Sequence, residues 1–304
     1  MKRPLLIFAF FTLTFSATAD EKATDPAWID PVWIDLVVPA DSLAIGRASV
    51  ESVLDTPLGK SVRNNRRNTY SNMNKFLKDG FNLSAKKLRY AWFAFSASQG
   101  SMMFIQGDFD EGKITKKMQR RKDWDTIDIK NTLQVSNYKN DYGSQQTAAL
   151  LRDNLIAMGS RDVMIEVLVR WQQGLQSPPR PGIVQIVNSE AQVSAVVLDL
   201  TPFQQANPTY ALINHAWLEG YIDNDAHMTI STESLNAQVT QGLEQILRGL
   251  LQVIPTRPEI LAQPLAIEAL KNAKMQRDEA ILNVSTFIPG DLVMTRFPMQ
   301  RRAL

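Results

Sequence analysis

The chain has no cysteine among its 304 residues. That absence excludes thiolate catalysis, iron–sulfur clusters, cysteine zinc sites and disulfides, and it leaves no thiol for lipid attachment behind the N-terminal apolar run. Histidine is scarce as well, present only as His215 and His227. A Gly-x-Ser-x-Gly elbow, a glycine-rich phosphate loop and an apolar run of bilayer length are all missing. The expectation is therefore a protein without a metal or cofactor, and none of the familiar catalytic motifs argues for an enzyme.

What is present begins with an export signature. Lys2 and Arg3 precede an apolar stretch from Leu5 to Phe15, and Ala17-Thr18-Ala19 supplies a small-x-small cleavage pattern before Asp20. A helix over that stretch reaches only ~16 Å, about half of a ~30 Å hydrocarbon core. The reading is a signal peptide over residues 1–19 that is cleaved near Ala19, leaving a periplasmic or secreted chain with no transmembrane segment. Cleavage leaves 285 residues in which 31 basic side chains balance 31 acidic ones, so bulk charge proposes no partner. A chain of that length buries a core without covalent staples.

Ser177-Pro178-Pro179-Arg180-Pro181-Gly182 reads as a linker, because closely spaced prolines favour extended backbone over helix or a central strand. It separates an N-terminal segment, 20–176, from a C-terminal one, 183–304. In the first, Leu36 to Val38 and Leu43 to Gly46 flank a turn at 39–42, and a helical stretch runs from Val50 to Lys78 with a break at Pro57. Arg89 to Ala97 and Met102 to Phe109 pair as a hairpin, Asp110-Glu111 opens a helix, Asp153-Asn154 turns a second hairpin, and Arg161 to Gln173 forms a helix ended by Gly174. In the second, Val193 to Leu200 is a strand. Residues 216–222 and 228–231 form a hairpin around Asp223-Asn224-Asp225, with Tyr221 opposite His227. Leu235, Val239, Leu243, Ile246, Leu247 and Leu250 mark an amphipathic helix, and a short helix and final strand follow. Both segments share this order of events. The expected class is α+β, two similar halves, each a mainly antiparallel sheet with helices on one face.

Pro39-Ala40-Asp41-Ser42-Leu43, Ser52 to Lys60, Gln106-Gly107-Asp108-Phe109-Asp110 and Leu155 to Ser160 together resemble a pattern of exported bacterial proteins from planctomycete-like lineages. The resemblance implies tandem α+β halves and supplies no catalytic residue.

Three constellations are candidates for chemistry. Asp108 and Asp110, alternate residues at a strand end, are the best local carboxylate pair for an envelope hydrolase, although helix capping and surface solvation at a strand end suit them better. Ser84-x-x-Lys87 has the spacing of a Ser-Lys nucleophile pair but lacks its companion motifs. His215 and His227 fall too far apart on a hairpin, roughly 20 Å at ~3.3 Å per residue, to share one ion. The remaining signal is charge. Nine Lys or Arg stand against Asp79 alone between Thr56 and Tyr90, and six more with no acid between Lys113 and Lys122. Arg63, Arg66, Arg67, Lys86, Lys87, Arg89, Lys116, Lys117, Arg120 and Arg121 are the expected contacts of a polyanion. The leading expectation is a non-enzymatic binding or structural protein of a bacterial envelope. Polyanion binding and carboxylate hydrolysis are the alternatives, and self-association through strand edges is open.

Overall fold

Asp30 sets the first element. Its side chain accepts a hydrogen bond from the Val32 amide at 2.8 Å, and Pro31 occupies the first helical position, so Pro31–Val37 winds into helix α1. Leu36 and Val37, expected as one extended flank of the turn at 39–42, are the last turn of this helix. The cap and the burial of Trp33, Ile34, Leu36 and Val37 outweigh their extended preference. The computed structural model describes residues 30–65, 67–96, 98, 100–120, 125–129, 133–139, 145–174, 178–256, 260 and 263–296. The export signature lies outside the described residues.

The elements then run β1 (Ser42–Ser49), α2 (Val50–Asp55), α3 (Pro57–Asn65), α4 (Arg67–Phe81), β2 (Leu88–Ser96), β3 (Gly100–Gly107), α5 (Glu111–Arg120), β4 (Asp125–Ile129), β5 (Leu133–Lys139), β6 (Gln145–Arg152), β7 (Leu155–Gly159) and α6 (Arg161–Gln173). After the proline-rich segment come α7 (Pro181–Asn188), β8 (Val193–Val197), α8 (Thr201–Ala206), β9 (Ile213–Ile222), β10 (Ala226–Ser234), α9 (Ala237–Val253), α10 (Pro264–Lys271), β11 (Lys274–Asp278), β12 (Ile281–Ile288) and α11 (Gly290–Arg296). The chain is α+β, and every strand pairing is antiparallel. Pro181 and Gly182 open helix α7.

Strands of both segments join in one twelve-stranded sheet, in the order β11-β12-β10-β9-β8-β1-β2-β3-β7-β6-β5-β4. The seam is β1 against β8, where Arg47 faces Ser194 and Ala44 faces Val197. Outward from it each segment repeats one order: a first strand, both strands of a hairpin, then the later and the earlier strand of a second hairpin. β4 and β5 extend the N-terminal side. The edge strand β11 carries Lys274, Arg277 and Asp278, charges that discourage pairing with another edge.

In the C-terminal segment α9 packs on β10, β11 and β12, and α10 packs on β12. Helices cover both faces of the N-terminal strands. Trp92, Phe104, Leu155 and Ala157 point toward α1, α6 and α7, while Ala91, Ile105, Ile156 and Met158 point toward α4 and α5. Trp92 and Phe104 are fully buried and stack with ring centroids 5.5 Å apart. The Trp92 indole donates to Gln106 Oε1 at 2.6 Å, so the polar edge enters the core satisfied.

Candidate functional site

The end of the β2–β3 hairpin, the β6–β7 turn and the start of α5 converge at Gly107. A Cβ there would lie 1.9 Å from the Lys87 carbonyl oxygen, so only glycine lets β3 close on the 3₁₀ turn Ala85–Lys87. Two backbone bonds lock the junction: the Gly107 amide donates to the Asn154 carbonyl at 3.2 Å and the Asp108 amide to the Lys87 carbonyl at 3.0 Å. Beside them opens a largely polar cleft of about 580 Å³ whose lining includes Lys87, Asp108, Asp110, Lys113, Asp153 and Asn154.

Both sequence-predicted carboxylates reach this cleft, and both are engaged. Asp110 caps α5 by accepting from the Lys113 amide at 3.0 Å, and it pairs with Lys113 Nζ at 2.7 Å. The Lys113 side chain holds the Asp110 carboxyl below the usual carboxylate range, and Asp110 raises the Lys113 ammonium in turn. Asp108 lies 3.3 Å from Arg89 Nη2, whose Nη1 holds Glu51 at 3.0 Å.

The basic runs meet in three dimensions. α4 packs against both α3 and α5, which brings the two charge-rich stretches together. Leu77 and Phe81 of α4 and Ile114 and Met118 of α5 turn inward, leaving Lys75, Lys78, Lys116 and Arg120 exposed. Lys86 and Lys87 stand exposed as well, while Arg63 and Lys117 are partly buried. Arg89 is taken up by its two carboxylates. Arg66, Arg121 and the side chain of Arg67 lie outside the described residues.

The other constellations dissolve into local structure. The Ser84 hydroxyl accepts from the Lys86 amide at 3.4 Å, and the Ser84 carbonyl accepts from the Lys87 amide at 2.8 Å, as a turn cap requires. Tyr221 lies opposite His227, as expected, whereas His215 faces Glu233. No group of metal-ligating side chains occurs among the described residues. Asp225 Oδ1 accepts from the Gly290 amide at 2.9 Å, so the β9–β10 turn anchors α11.

The sequence marks Asp153-Asn154 only as a turn. Both residues line the cleft, and Asn154 Oδ1 is buried with no hydrogen-bond partner among the described residues. The legible signal was Gly107, a glycine inside an apolar strand, which marks close backbone approach.

No family model matches the sequence, and no curated protein matches it. Solved structures of a protein named TP0453 are similar in fold. Its crystal form III has a TM-score of 0.50 at 13% identity over 89% of this chain and 99% of TP0453. Form IV has the same score and identity over 91% and 100%. At that identity the likeness is one of architecture.

Proposed function

We propose that the chain is an exported, non-enzymatic binding protein of a bacterial envelope whose helices α3, α4 and α5 take up a polyanion. The observation that carries the reading is the packing of α4 on α5, which sets two sequence-distant basic runs side by side. Lys75, Lys78, Lys116 and Arg120 present their charges to solvent there, and a polyanion binding across them would release counterions. Among the described residues no helix is long and apolar enough to cross a membrane. The N-terminal signature and the resemblance to exported proteins support the compartment.

Retention on immobilised heparin tests the reading. The mature chain is expected to bind at 50 mM salt and to elute by about 300 mM, as binding through several phosphate-like contacts is steeply salt-dependent. A Lys75→Glu, Lys116→Glu double variant is expected to elute markedly earlier with an unchanged melting temperature. Absence of retention at 50 mM would overturn the proposal.

The hydrolase alternative needs a carboxyl that stays protonated near neutral pH beside a second, ionised one. Asp110 is shifted the other way by Lys113, and Asp108 faces a guanidinium. These contacts favour caps and ion pairs over a general acid.

A further inference from the structure

We infer that the open face of the C-terminal sheet, across β9, β10 and β12, is a binding platform for a neutral oligosaccharide. Helices α9 and α10 lie on the opposite face. Thr286 Oγ1 donates to the Ala269 carbonyl of α10, and Arg277 Nε lies 3.4 Å from Glu244 Oε2 of α9. Strand neighbours point to opposite sides, so Ser285, Phe287 and their register partners face away from both helices. Helix α7 borders that face along β8 and β9, where Gln185 meets the His215 ring.

Aromatic rings stand in one row across it. Tyr221 is opposite His227, and His227 is opposite Phe287, on adjacent strands. At a strand spacing of ~4.8 Å the row runs ~10 Å, longer than one pyranose. The His227 and Phe287 rings lie 28° from parallel with centres 6.0 Å apart, Tyr221 is 43% exposed and His227 is exposed. The next row adds hydroxyls, Thr229 Oγ1 and Ser285 Oγ, which lie 3.0 Å apart and keep bonding capacity beyond their mutual hydrogen bond. A sugar ring has the matching parts: an apolar C–H face for the aromatic row and a hydroxyl rim for Thr229 and Ser285. Single-stranded nucleic acid also stacks on sheet aromatics, but it needs cations for its phosphates. On this face Glu219, Glu233 and Asp278 outweigh Lys274. The charge therefore selects a neutral chain, and the platform does not rest on the basic helices.

Titration of the mature chain with chitohexaose and with cellohexaose, followed by amide chemical shifts and by calorimetry, tests the inference. Saturable binding of one or both is expected, with the largest shifts at the strand residues around Tyr221, His227 and Phe287. Tyr221→Ala is expected to weaken binding about tenfold, the size of a lost aromatic contact, with an unchanged melting temperature. It is also expected to leave the salt at which heparin releases the protein unchanged, which separates this face from the polyanion surface. Tyr221→Phe, which keeps the ring, is expected to retain most of the affinity. No binding of either hexasaccharide at millimolar concentration would overturn the inference. So would a Tyr221→Ala affinity equal to the native one, or tighter binding of oligothymidylate across the same residues.

Discussion

Arg180 Nη2 lies 2.6 Å from Asp35 Oδ1, a carboxylate whose side chain is only 3% exposed. The Arg180 backbone amide adds a bond to Asp35 Oδ2 at 2.7 Å, and Arg170 Nη2 lies 3.7 Å from Asp35 Oδ1. One acid in α1 thus holds α6 and the proline-rich segment in place. Asp35→Ala leaves two partly buried guanidinium groups without their counter-charge, and breaking such a pair is destabilising by ~3–5 kcal/mol. Urea denaturation is expected to show that loss as a lower midpoint with an unchanged slope. A midpoint within error of the native chain would mean the pair holds nothing.

Gly107→Ala puts a methyl group 1.9 Å from the Lys87 carbonyl oxygen, and 2.8 Å from a Phe109 ring carbon. Backbone on both sides must separate, and forcing added volume into packed surroundings costs typically about 1–3 kcal/mol. The variant is expected to melt lower and to exchange the Gly107 and Asp108 amide positions faster in deuterium exchange. Unaltered exchange would show that the junction is looser than its hydrogen bonds indicate.

Much of the architecture was legible in the residues, and the reasons are local. Gly174, with φ of 73°, ends α6 where glycine after the helical run predicts. The two-residue turn at Asp153-Asn154 and the three-residue turn at 223–225 set their hairpin registers, down to Tyr221 against His227. The seam escaped, because Arg47 beside Ser194 belongs to strands about 150 residues apart and no local pattern encodes their pairing. In β2, Trp92 and Ala91 are both buried, so the near-continuous apolar run from Tyr90 to Phe95 already signalled cover on two faces. The cleft was half legible. Asp108 and Asp110 were found by spacing, whereas Asp153 and Asn154 reach it only through the pairing of β3 with β7.

Arg47 is 3% exposed and carries its charge into the seam. Its guanidinium donates to the carbonyls of Val187, Ser189 and Ala191, the first at 3.1 Å and the last at 3.0 Å, and lies 5.5 Å from the Tyr90 ring centre. It therefore closes the C-terminus of α7, where a cation also meets the negative end of the helix dipole. Arg47→Met fills similar space but orphans those carbonyls, at about 1–3 kcal/mol for each one left dry. The expected result is a lower denaturation midpoint and faster exchange of α7 amides. Arg47→Lys is expected to recover only part of the loss, since the three N–H groups of an ammonium radiate from one nitrogen, whereas the native bonds leave from two, Nη1 to Val187 and Nη2 to Ser189 and Ala191. Equal stability of the native and Arg47→Met proteins would refute the role.

His215 should make stability depend on pH. Its ring stacks on Trp217 at 5.3 Å between centres and meets the Gln185 side-chain oxygen, while Glu233 pairs with it across the strands. Burial disfavours the imidazolium and lowers the pKa below its ordinary 6.5, and the Glu233 charge offsets only part of that. The unfolded chain then takes up its proton first as pH falls. Above about 6.5 the neutral ring contributes fully, and below it stability declines toward the depressed folded-state value. Melting temperatures at pH 7.5 and 5.5 are expected to differ more for the native chain than for His215→Gln, which has no imidazole to protonate at that position. Carboxylates titrate mostly below this window, so the difference between the two proteins isolates the ring. Equal drops in both would show that the imidazole is as easily protonated in the fold as in water.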